Sequence, residues 1–164
     1  MTNSKKSDTQ QLKIGNVSNY FTSKFSLNLI VSDHPRAKIV SSLNLLDEFL
    51  KIWDTDTLTF KESMYILFLN GANKIIGYEL HSVGASAQTV VDIRLMMTTA
   101  LLCNSAAISI AHNHPSGQTH PSQEDTIITK RVKEACTFLG IRFLDHIILC
   151  GGTSYFSFAD EGKL

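Results

Sequence analysis

The sequence lacks a charge excess, paired cysteines and long apolar runs, and each absence removes a class of protein. Lysine plus arginine and aspartate plus glutamate both total 15, so the formal net charge is zero. Nucleic-acid binders draw most of their non-specific affinity from a surplus of basic side chains on phosphates. The bulk charge here asks for no such partner. The three cysteines, Cys103, Cys136 and Cys150, are odd in number and form no C-x-x-C. Each sits in an apolar stretch, which reads as a buried free thiol in a reducing compartment. No apolar run reaches the roughly 18–20 residues that span a bilayer. The opening MTNSKKSDTQQ carries lysines with no apolar segment behind them, so it does not read as a signal peptide. With these absences the sequence reads as that of a cytoplasmic protein with no membrane partner.

What is present suits one compact domain: 164 residues, 43% hydrophobic and 18% charged, too short for two generous domains. A domain of this size buries roughly 70% of its unfolded surface and needs neither disulfides nor a structural metal. Metal ligands, if present, would serve chemistry rather than folding. Residues 1–25 are polar and aperiodic and read as a flexible tail, leaving 26–164 as the domain.

Along that domain, residues 25–32 (FSLNLIVS) look like a short strand, which Pro35 ends. Ser41-Ser42 offers an N-cap for a helix over 43–53, with Leu46, Phe49, Leu50 and Trp53 on one face. Residues 64–69 (MYILFL) and 74–80 (KIIGYEL) flank the turn signal Asn70-Gly71 and predict a β-hairpin. A second helix is expected over 92–103, capped by Asp92 and ended at Asn104-Ser105. A buried strand follows over 106–112. A third helix is expected over 123–139, with Ile128, Val132, Ala135 and Leu139 inward and Gly140 just past its end. A strand over 141–149 and a short one near 153–158, separated by Gly151-Gly152, complete the order. Mixed strands and helices with a hairpin predict an α+β fold, one mixed β-sheet flanked by helices.

The chemistry concentrates in HNHPSGQTHPSQED, residues 112–125. Alternate side chains of a strand share a face, so His112 and His114 point the same way. Pro115 disfavours helix at His114 and keeps it extended. Ser122 can cap the next helix, and Asp125 then stands in its first turn, where the helix dipole favours an ionised carboxylate. Folding that helix back over the strand end would join Asp125 to the two imidazoles. Two histidines, one carboxylate and an open position form a catalytic zinc arrangement, whereas structural zinc sites close with four protein ligands. Each piece alone has a plainer explanation: a lone H-x-H is usually surface decoration, and Ser122 with Asp125 can be a cap and a first-turn acid. Their conjunction after a loop bearing proline and glycine is what points to a metal.

H-x-H followed, after seven residues, by S-x-x-D resembles the metal motif of the JAB/JAMM (MPN-plus) metalloproteases, here His112, His114, Ser122 and Asp125. The wider HNHPSG with PSQED, then LDHIIL at 144–149 and YFSFADEG at 155–162, is similar to the RadC branch of that family. The resemblance covers roughly residues 40–164. It does not extend to the N-terminal helix-hairpin-helix region of RadC proteins, and the first 40 residues match no DNA-binding module. It implies a deaminase-like α+β sandwich and one zinc ion per chain on His112, His114 and Asp125, with water as fourth ligand. A general-base glutamate is implied at the head of the strand in KESMYILFLN, which is Glu62. Ser122 would hydrogen-bond the water or the oxyanion. The implied reaction is hydrolysis of an amide or isopeptide bond in a peptide or protein substrate. The sequence does not name that substrate.

Spacing alone does not choose between Glu62 and Glu79 as the base. His146 reads as a core histidine or a partner of the ligands, His120 as a solvated loop residue near the site, and Asn113 as a support for the loop. Gly117 is expected to adopt a turn conformation closed to other residues. His34, His81 and Asp145 carry no assignable role. Three rival readings carry less weight. His-Asn-His resembles HNH nucleases only in three adjacent letters, and a DNA-repair-associated role rests on the family association alone. A nucleobase deaminase needs H-x-E with P-C-x-x-C, and neither occurs. A catalytically silent scaffold is disfavoured by the intact motif. A homodimer is compatible with the sequence.

Overall fold

The computed structural model describes residues 37–84, 91–151 and 154–164. The tail and the strand expected over 25–32 lie outside these residues. Helix α1 (Ser42–Ile52) begins where the Ser41 hydroxyl accepts the Asn44 N–H at 3.3 Å. It buries Leu45, Leu46 and Phe49, with Trp53 buried just beyond its end and Leu50 only half-buried. The inward stripe therefore includes Leu45, which the expected face omitted. Strands β1 (Ser63–Leu69) and β2 (Ile75–Val83) form the expected antiparallel hairpin. Its loop is held by the Asn70 side-chain oxygen, which accepts the N–H groups of Ala72 and Lys74.

Helix α2 (Ile93–Leu102) is capped by Asp92, which accepts the Leu95 N–H. Then come β3 (Ala107–Asn113), α3 (Gln123–Phe138), β4 (Arg142–Leu149) and β5 (Tyr155–Ser157). The strands lie in the order β2-β1-β3-β4-β5, with β3 and β4 parallel and the other neighbours antiparallel. This is the mixed sheet of an α+β fold.

Every residue of β1 and β3 is buried, because these central strands are covered on both faces, and β1 accordingly reads as a nearly continuous apolar run. On one face Tyr65, Leu67, Leu69, Ala111 and Ile147 pack with Leu45, Phe49 and Trp53 of the α1 region. On the other, Met64, Ile66, Ile108 and Ile110 meet Met96 and Ala100 of α2 and Val132 and Cys136 of α3. The three thiols are free; burial pushes each up, that of Cys136 to about 12, so they are poor nucleophiles.

Two departures matter for the site. The buried stripe of α3 is Asp125, Thr129, Val132 and Cys136, with Ile128, Ala135 and Leu139 only partly buried beside it. The helix thus turns a carboxylate and a hydroxyl inward at its first two turns. Second, β3 and β4 slip against each other: Ile108 pairs with Phe143, yet Ile110 pairs with His146. Two steps on β3 are matched by three on β4, which is a bulge. Such an extra residue re-aims every later side chain. Here it turns His146 onto the α3 face.

Candidate metal centre

The alternation of β3 places Ile108, Ile110 and His112 toward α3, and His112 is 1% exposed. His114 lies one residue past the strand, held by its N–H to the Leu149 carbonyl at 2.8 Å. The chain then turns: Gly117 donates its N–H to the His114 carbonyl at 2.9 Å with φ at +75°, a conformation that favours glycine. That turn carries the Gln118 carbonyl to 2.8 Å from His114 Nδ1. A carbonyl can only accept, so Nδ1 bears the proton and Nε2 faces the centre.

Asp125 arrives through a capping box. Ser122 Oγ accepts the Asp125 N–H at 3.1 Å, and Asp125 Oδ2 accepts the N–H and the hydroxyl of Ser122, each at 2.7 Å. Ser122 therefore spends its single proton on Asp125. Asp125 Oδ1 lies 3.1 Å from His112 Nε2, Oδ2 lies 3.4 Å from His114 Nε2, and the two Nε2 atoms are 3.0 Å apart. These atoms converge on one point, so His112, His114 and Asp125 can hold a metal ion. Zinc bonds of about 2.0–2.1 Å in tetrahedral array set ligand atoms roughly 3.3 Å apart, and the observed spacings fit with small adjustments. The donor set of two imidazoles and a carboxylate suits zinc chemically.

The electrostatics agree with a cation site. Burial works against a charge on Asp125, but hydrogen bonds from His112 and His114 in their protonated forms outweigh it and hold the carboxyl far below the usual carboxylate range. The reciprocal hydrogen bond with Asp125 raises His114 above the ordinary imidazole value, and the charge of Glu62 adds to that rise.

Glu62 is half-buried immediately before β1. Met64 pairs with His112, and continuing that register by two residues sets Glu62 opposite His114. Asn113 secures this end of the hairpin: its side-chain oxygen accepts the Ser63 N–H at 2.8 Å, and its amide donates to the Leu58 and Lys61 carbonyls, both at 2.7 Å. The asparagine between the two histidines thus holds the segment that carries Glu62. Glu79 stands on β2, which does not adjoin β3, and its carboxylate contacts His81 at 3.1 Å. His120 is exposed in the loop. His34 lies outside the described residues.

Behind the cluster, His146 Nε2 is 2.7 Å from His112 Nδ1, and His146 Nδ1 is 2.6 Å from Thr129 Oγ1. Burial keeps the His146 imidazole neutral, its pKa well below the ordinary value. Asp145, set aside by the bulge, accepts from the N–H of His146 at 2.7 Å, the N–H of Ala159 at 3.0 Å and the Ser157 hydroxyl at 2.6 Å. It ties β4 to the turn after β5. Sequence reasoning gave Thr129 no role and Asp145 none; Thr129 was visible only as the residue four beyond Asp125.

Known proteins similar to this chain bear on the arrangement. The chain is 47% identical over 104 residues to a UPF0758 protein of Porphyromonas gingivalis, covering 63% of this chain and 46% of that one. It is 44% identical over 101 residues to a UPF0758 protein of Flavobacterium johnsoniae, 62% of this chain and 44% of the relative. With the UPF0758 protein YfjY of Escherichia coli it shares 42% over 104 residues, 63% of this chain and 64% of that protein. The aligned stretch spans less than two thirds of each of these relatives. None of the described helices is long and apolar enough to cross a membrane. The model of the RadC-like JAB domain matches residues 40–163, a span that takes in every helix and strand described above. The chain belongs to the family of RadC-like JAB domains.

Proposed function

We propose that this protein is a zinc-dependent hydrolase of the JAMM type, cleaving an amide or isopeptide bond in a peptide or protein substrate in the cytoplasm. The observation that carries the reading is the convergence of two imidazole Nε2 atoms and the Asp125 carboxylate. His112, His114 and Asp125 would hold the ion. When bound, zinc supplies Lewis acidity and lowers the pKa of water from about 15.7 to about 7. Glu62, at the rim and half-buried, takes a proton from the attacking water and returns it to the leaving amine. Asn113 fixes the backbone that presents it. Ser122 donates to the oxyanion of the tetrahedral species, for which it must release Asp125 Oδ2; the Ser122 N–H continues to hold that oxygen.

The test is turnover of a panel of peptide and isopeptide substrates by zinc-loaded protein and two variants. Glu62→Gln is expected to keep its zinc and lose about 10²–10⁴-fold in kcat, the usual worth of a general base. Glu79→Gln is expected to retain activity. The reverse outcome would move the base to Glu79, and no hydrolysis by wild-type protein of any member of the panel would count against the reading itself.

A further inference from the structure

We propose that Thr129 and His146 are positioning residues that set the tautomer of His112, so that its Nε2 faces the centre as a bare lone pair. The proposal rests on reading the cluster as a metal centre and adds the residues that make it ready for an ion.

Thr129 Oγ1 lies 2.6 Å from the Asp125 carbonyl oxygen and 2.6 Å from His146 Nδ1. The carbonyl has no proton, so a contact this short requires the hydroxyl to donate to it; otherwise two sets of lone pairs would face each other. Thr129 then has only lone pairs left for His146, and His146 Nδ1 must be the donor. The His146 ring is 0% exposed, stacked on Phe158 with centroids 4.9 Å apart. Its hydrogen-bond partners among the described residues are Thr129 and His112. A buried imidazole with no carboxylate bonded to it is neutral and carries one proton. With that proton on Nδ1, Nε2 accepts, and His112 Nδ1 donates across 2.7 Å. The His112 Nε2 lone pair is left pointing at Asp125 and His114.

Three protons serve four contacts, and one competing relay leaves bare the 2.6 Å contact between Thr129 and the Asp125 carbonyl instead of the 3.1 Å contact between His112 Nε2 and Asp125 Oδ1. Thr129 would donate to His146, His146 to His112, and His112 Nε2–H to Asp125 Oδ1, 3.1 Å away. That arrangement closes the site, because a protonated Nε2 cannot bind a metal. The Asp125 carbonyl decides between them by claiming the Thr129 proton. A carbonyl four residues back on the same helix is a natural acceptor for a threonine hydroxyl. Asp125 thus acts twice, its carboxylate toward the ion and its backbone oxygen toward the relay. The bulge in β4 is what makes the relay available, since an unbroken register would bring Asp145 opposite Ile110 in place of His146.

Long-range proton–nitrogen correlation spectra of the histidine rings, recorded on metal-free wild-type protein at mildly alkaline pH, read the tautomers without any variant. His112 and His146 are expected as Nδ1–H forms, and a proton on His112 Nε2 would overturn the proposal. Zinc affinity by chelator competition gives the second readout. Thr129→Val is expected to weaken zinc binding about 10–100-fold, the usual cost of losing a partner behind a ligand, while Thr129→Ser stays close to wild type. His146→Gln, whose carbonyl oxygen can accept the His112 proton, should bind more tightly than His146→Leu. Equal zinc affinity in Thr129→Val and wild type would overturn the proposal. Failure of wild-type protein to take up zinc, with the tautomers as stated, would instead remove the metal reading and leave the relay standing.

Discussion

The Nε2 atoms of His112 and His114 lie 3.0 Å apart, while the Nδ1 atom of each ring is engaged elsewhere, by His146 and by the Gln118 carbonyl. With both rings neutral and protonated on Nδ1, as proposed above for His112, the two Nε2 lone pairs face each other, a repulsion that a shared cation relieves. The cation can be a proton or a metal ion, and the two compete for the same nitrogens. That competition connects the geometry to measurable behaviour.

The first consequence is a pH dependence of opposite sign with and without metal. In the metal-free protein Asp125 raises His114 above its unfolded value. A raised folded-state pKa gives stability that is complete below the unfolded value of about 6.5 and is lost as pH rises through the folded one. Asp125, held low, contributes above its unfolded value of about 3.9 and loses that contribution as pH falls toward its folded value. The His114 contribution to the Tm of metal-free protein should therefore decline from mildly acidic to alkaline pH. Zinc needs the imidazoles unprotonated, so the rise in Tm that zinc produces should grow over the same range. Thermal scans with and without zinc across that range check both slopes; a zinc effect independent of pH would contradict them.

Ser122 has one proton and two uses for it. Ser122→Ala removes a helix cap, with an expected loss of about 0.5–2 kcal/mol in urea denaturation. If bracing Asp125 is the main use, zinc affinity falls together with kcat. If donation to the oxyanion dominates, kcat falls about 10²–10³-fold with zinc retained. Zinc competition and turnover measured on the same variant separate the two.

Asp145 is expected to matter for folding and to touch zinc only through His146. Asp145→Ala leaves two N–H groups and a hydroxyl without their acceptor, at about 1–3 kcal/mol for each buried group. Asp145→Asn keeps one oxygen for the two N–H groups and should be clearly milder. Urea midpoints for the pair check this; equal destabilisation by Ala and Asn would mean that charge, and not the acceptor, is what the fold uses.

The elements that position the centre were legible where one signal was enough. Ser41, Asp92 and Ser122 start helices as their side chains predict, and Asn70-Gly71 marks the hairpin. The convergence of His112, His114 and Asp125 followed from strand alternation and one cap. Other features depend on tertiary contacts that local patterns do not encode. The stretch RFLDHIIL is apolar enough to pair in either register, so nothing in it reveals that a bulge presents His146 rather than Asp145 to α3. The buried stripe of α3 runs through Asp125 and Thr129, which a hydrophobic period passes over because those positions are polar. In the sequence, resemblance alone favours Glu62 over Glu79. In the structure β1, which follows Glu62, pairs with β3 through Met64 and His112, whereas β2, which bears Glu79, does not adjoin β3.

The most direct test of the account is the metal content of the protein after dialysis against limited zinc, alongside His114→Ala treated identically. The account predicts close to one zinc per chain in the wild type and a large loss in the variant, with the fold retained by circular dichroism. Wild-type protein that stays metal-free while folded, or a variant that binds as much zinc as wild type, would contradict it.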